Sequence, residues 1–142
     1  MKRIVTFPRL LRYKYQPNWE KMEMNSAIRY DLAYLNQVFQ GNREMINNII
    51  ALFLQQVPKY VHEMEECVRK NEPLSLHPLA HKAKSSVAML GIKDMEADIV
   101  QIEQDSKYLR NLDGLPILVR RVKENCQVVY DQLMEAMQRP AA

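Results

Sequence analysis

Residues 42–70 read NREMINNIIALFLQQVPKYVHEMEECVRK. Within them Ile46, Ile49, Ile50, Phe53, Val57, Tyr60, Val61, Met64 and Val68 return at steps of three and four, which is the period of an α-helix with one apolar face. Asn42 stands where a side-chain oxygen would satisfy the free N–H groups of the first turn. Pro58 removes one backbone donor, but the apolar pattern continues on both sides of it. That predicts a kink and not an end.

The same stepping extends outward. Leu32, Leu35 and Phe39 predict a helix over 28–40. After the long helix, Asn71, Glu72 and Pro73 break the pattern, and a further helix starts between Pro73 and Pro78 and ends about Leu90, where Gly91 closes it. Met95, Ile99, Ile102 and Leu109 predict a helix over 93–109, and Val119, Val122, Cys126, Val129, Leu133 and Met137 one over 116–138. The three glycines, at 41, 91 and 114, each fall where a helical pattern stops. No stretch alternates as a strand would. The fold class is therefore all-α. Four long helices with short connections predict an up-and-down antiparallel four-helix bundle, with the short additional N-terminal helix lying across one end.

A chain of 142 residues holds one core. The bundle takes 26–142, while 1–25, with Pro8 and Pro17 and no clean period, reads as a basic arm or linker. Hydrophobic residues make up 47% and charged ones 26%, which excludes an intrinsically disordered chain. Six basic residues against Glu20 give 1–21 a net charge of +5, leaving about −2 for the rest, so the main domain is not built to bind nucleic acid. The arm interleaves Arg3, Arg9, Arg12 and Lys14 with Phe7, Tyr13 and Tyr15, a composition that can meet nucleic acid or an anionic membrane. Few of those charges share a regular face, so the reading is a linker or docking tail, with no nucleic-acid and no membrane partner expected. Pro8, Arg9 and Arg12 break the start before a signal-peptide core accumulates, and no window approaches a membrane span. Cys67 and Cys126 lie on apolar stripes without metal-ligand spacing and are expected as buried free thiols in a reducing, cytoplasmic setting.

Three histidines are the candidate reactive groups. His62 points off the apolar stripe and reads as a surface side chain. His77 precedes Pro78, which biases it away from helical backbone and toward a terminal or first-turn role. Neither is expected to have partners at ligand spacing. His81 differs, because Leu79, Ala83, Val87 and Leu90 form the stripe that buries and leave His81, Lys84, Ser85 and Ala88 facing outward. A neutral imidazole, with an ordinary pKa of about 6.5, is nucleophilic near neutrality. A lysine one turn away would stabilise charge spread over phosphoryl oxygens. Spacing alone favours an ordinary surface histidine beside solvated lysines.

The stretch LAHKAKSSVAMLG, 79–91, resembles the signature of the histidine-containing phosphotransfer (HPt) domain family: Ala80 before His81, then Lys84, the small residues Ser85 and Ser86, and the closing Gly91. Phe53, Pro58, Met95, Ile99 and Glu103 also fall where that family places similar residues, and the resemblance covers 28–138. It implies a phosphorelay intermediate, not an enzyme with its own ATP-dependent kinase activity. His81 would be the phosphoacceptor, taking a phosphoryl group from the aspartate of one receiver domain and passing it to another. Lys84 would stabilise the phosphoryl charge. Glu103 would orient the ring, unless it is a solvated surface glutamate. Lys82, Ser85 and Ala88 would belong to the docking surface, Ser85 standing where glycine is commonest. The implied partners are response-regulator receiver domains and a sensor or hybrid histidine kinase. The chain would need no cofactor or metal of its own, Mg2+ being expected on the receiver. A closed bundle with few leftover apolar faces is expected to be a monomer. The competing reading is a helical docking module that is never phosphorylated.

Overall fold

The computed structural model describes residues 27–138, and the basic arm expected over 1–25 lies outside them. The described chain is all-helical, without strands. Helix α1 is Ala33–Val38, α2 Arg43–Arg69, α3 Pro73–Met89 and α4 Lys93–Lys107; a single 3-10 turn, Leu112–Gly114, leads into α5, Leu115–Gln138. The stripe that predicts α2 is its buried face: Ile46, Ile50, Phe53, Val57, Val61 and Met64 are all in the core. From α3 come Leu76, Leu79, Ala80, Ala83 and Val87; Met95, Ile99 and Ile102 follow from α4, and Val119, Val122, Cys126, Val129 and Leu133 from α5. Each long helix packs on two others, α2 on α3 and α5, and α4 on α3 and α5.

The Asn42 side chain accepts from the Met45 backbone N–H at 3.1 Å and caps α2 as its position predicts. Asn42→Ala is expected to lower stability by about 1 kcal/mol, read from denaturant midpoints at unchanged slope. Beyond it, α2 runs through Pro58 to Arg69, where Asn71, at φ 55°, turns the chain. The α3 start, open in the sequence, falls at Pro73, whose missing N–H costs nothing in a first turn. Pro78 therefore lies inside α3.

Two boundaries differ from expectation. The helix predicted over 28–40 forms only over Ala33–Val38. Residues 27–31 instead spend their polar groups on distant partners. The Arg29 N–H donates to Gln132 Oε1 at 3.0 Å, Gln132 Nε2 donates to the Ala27 carbonyl at 2.7 Å, Arg29 Nη1 donates to Asn125 Oδ1 at 2.6 Å, and the Asp31 N–H donates to the Leu90 carbonyl at 2.9 Å. Asp31 Oδ1 then accepts from the Ala33 N–H at 2.9 Å and starts the short helix. At the end of α4, Asp105 gathers Gln101, Arg110 and Asn111 around its carboxylate, and the chain turns at Lys107 instead of reaching Leu109. Burial opposes ionisation of Asp105, but those three hydrogen bonds outweigh it and hold its pKa below the ordinary value.

Arg121 of α5 forks onto the buried Asp98 of α4, with Nε at 3.1 Å from Oδ2 and Nη2 at 2.6 Å from Oδ1. That bidentate pair locks the two helices in register. Cys67 and Cys126 are buried free thiols, as their place on the stripes predicts, and burial pushes Cys126 up to about 11. No helix among the described residues is long and apolar enough to cross a membrane.

Candidate functional site

The site is built where α3 meets α4. Leu79, Ala80, Ala83 and Val87 anchor α3 in the core, which turns His81, Lys82, Ser85 and Ala88 to solvent and leaves Lys84 partly covered. The expected outward face is thus present. His81 is 66% exposed at the side chain, while Glu103, from α4, is only 6% exposed. Glu103 is no solvated surface glutamate. Its Oε2 accepts from His81 Nδ1 at 2.6 Å, and its Oε1 accepts from Lys84 Nζ at 2.8 Å. One carboxylate therefore binds both residues that the sequence singles out.

Three consequences follow from that geometry. With Nδ1–H donating to a carboxylate, the neutral imidazole carries its lone pair on Nε2. The carboxylate also fixes the ring plane. Lys84, expected to stabilise the charge of a phosphoryl group, is held by Glu103 and stands one turn beyond the ring. The hydrogen bond from Lys84, then that from His81, hold the Glu103 carboxyl below its ordinary pKa against the burial that opposes them.

A depressed carboxylate pKa contributes stability that is fully present above the unfolded glutamate value of about 4.3 and lost as pH falls through the lower folded value. The wild-type chain is accordingly expected to lose thermal stability on acidification through that window. Glu103→Gln, which titrates nothing at this position, should show a shallower acid limb in melting temperature against pH.

His77 is where the structure corrects the sequence reading most. It lies in the second turn of α3, not at its terminus, despite the following Pro78. Nor is it without partners at short range: its ring centroid is 6.2 Å from that of His81, with the planes tilted by 38°. Its Nδ1 lies 3.4 Å from the Glu103 backbone carbonyl. The signal was in the numbering, since positions 77 and 81 are four apart and share a helix face. His62 is exposed, as expected, on α2. Lys82 is exposed, and its Nζ lies 6.0 Å from the centre of the Tyr60 ring. No group of three or more His, Cys, Asp or Glu side chains among the described residues is arranged to hold a metal ion.

No family model, no curated protein and no solved structure matches this chain. The functional reading therefore rests on the residues themselves.

Proposed function

We propose that this chain is a histidine phosphotransfer protein of a two-component phosphorelay, built as an up-and-down four-helix bundle with α1 as an addition. In support of the bundle, α2, α3, α4 and α5 pack in a closed cycle, and connections of a few residues at 70–72 and 90–92 favour antiparallel neighbours. One observation carries the function: His81 stands in solvent with Nδ1 tied to a buried carboxylate.

In this reaction the Nε2 lone pair attacks the phosphorus of a receiver's aspartyl phosphate. An N–P bond forms, the acyl P–O bond breaks, and the aspartate leaves as its carboxylate. The proton on Nδ1 stays there, so the phosphorylated ring becomes cationic, and Glu103 balances that charge. Lys84, held on the other oxygen of the same carboxylate, is a cation one turn from the ring that would turn to the transferred group. Return to a second receiver reverses each step. Mg2+ belongs to the receiver, as does the acidic pocket that holds it. Lys82, Ser85 and Ala88, all exposed, border the ring where a receiver would settle, and the small side chains at 85 and 88 leave room for it.

The reading is tested by mixing the full chain with phosphorylated receiver domains and following phosphate on the chain. An acid-labile, base-stable phosphate that maps to the 79–91 segment is the expected result. Receiver binding without any transfer would leave a docking module in its place.

A further inference from the structure

His77 and His81 occupy positions i and i+4 of α3, the spacing at which two imidazoles of one helix reach a common metal ion. Their ring centres are 6.2 Å apart. A zinc ion at about 2.1 Å from one nitrogen of each ring requires ring centres roughly 5–6 Å apart, so the pair already stands near that separation. The second nitrogens are also engaged as they are in metal-bound histidines, where the ring N–H away from the metal meets a carboxylate or a backbone carbonyl. Here His81 Nδ1 donates to Glu103 Oε2 at 2.6 Å, and His77 Nδ1 faces the carbonyl oxygen of the same residue at 3.4 Å. Both contacts favour lone pairs on the two Nε2 atoms. The neighbouring cations have contacts of their own: Lys84 is bound by Glu103, and Lys82 Nζ lies 6.0 Å from the centre of the Tyr60 ring.

We propose that His77 and His81 form a two-imidazole site for zinc or a similar nitrogen-seeking divalent ion, with water completing the coordination. With only two protein ligands, the bound ion exchanges with solvent and is not a structural one. A consequence rests on the phosphotransfer reading. The ion takes the Nε2 lone pair that would attack phosphorus, so a chain carrying zinc cannot accept a phosphoryl group.

Zinc chloride titrated calorimetrically into the full chain is expected to bind at one ion per chain. His77→Ala and His81→Gln should each weaken that binding at least about tenfold, and His62→Ala should leave it unchanged. Imidazole nitrogen resonances of the wild-type chain give a readout free of any variant: both Nε2 signals should shift together as zinc is added. Absence of binding, binding of equal strength in His77→Ala, or shifts confined to other histidines would overturn the site. In the second arm, zinc should stop phosphoryl uptake by the wild-type chain and spare His77→Ala. Uptake that fails even without zinc counts against the relay reading, while the titration still decides the metal site.

Discussion

His81→Gln is expected to abolish phosphoryl uptake while leaving the helices intact. The substitution removes the one nucleophilic nitrogen and keeps an amide that can still donate to Glu103, so the buried carboxylate retains a partner on this side. The side chain is 66% exposed, and its loss opens no cavity in the core. Circular dichroism and melting temperature should therefore stay close to wild type while acid-labile phosphate falls to background. The flanking residues should behave differently. Glu103→Ala removes the group that orients the ring and is expected to slow transfer by about 10–100-fold. Lys84→Ala acts on the other oxygen of that carboxylate, so its effect and that of Glu103→Ala should fall short of adding in the double variant. Phosphate that persists in His81→Gln would move the acceptor elsewhere, with His77 the first alternative because its ring adjoins the same surface.

Much of this arrangement is legible in the spacing of residues. The stripe Leu79, Ala83, Val87 and Leu90 is buried as its period requires, and burial of that stripe is what turns His81 outward. Asn42 caps α2 and Gly91 ends α3 for reasons that are local to a few residues. What the spacing does not hold is anything decided by a distant partner. Residues 28–32 have apolar periodicity, yet Gln132, Asn125 and Leu90, remote in sequence, draw their polar groups into an irregular segment. Glu103 is ambiguous for the same reason. On α4 alone it could be a surface carboxylate, and only the approach of α3 brings Lys84 and His81 onto it. His77 was obscured by a local rule. Pro78 disfavours helical backbone before it, but Pro73 had already begun the helix and packing of Leu76 and Leu79 carries it through.

Gly91→Ala is expected to destabilise the chain by about 3–4 kcal/mol, far more than the same change at Gly41. Both glycines have left-handed backbone, with φ of 61° at Gly91 and 75° at Gly41, a conformation that costs an L-residue about 1 kcal/mol or more. The surroundings separate them. A Cβ at Gly41 meets nothing within 4 Å, whereas at Gly91 it would lie 2.6 Å from the Asp31 backbone oxygen and 2.8 Å from the Asp31 Cβ. Neither atom belongs to a flexible side-chain end that could swing away. Asp31 is also held in place, since its N–H donates to the Leu90 carbonyl at 2.9 Å, next to the glycine itself. Relief of the overlap means moving the 27–32 segment and giving up that bond. The backbone bonds that close α3 are at risk with it: the Gly91 N–H donates to the Ala88 carbonyl at 3.0 Å and the Ile92 N–H to the Val87 carbonyl at 3.3 Å. Thermal melts should show a fall of about 10–20 °C for Gly91→Ala and only a few degrees for Gly41→Ala. Equal losses at the two positions would mean that the segment before α1 yields freely and that its close approach to the end of α3 constrains nothing. A loss confined to Gly91 would make this contact, nearly three turns from His81, part of what holds the helix under the reactive ring.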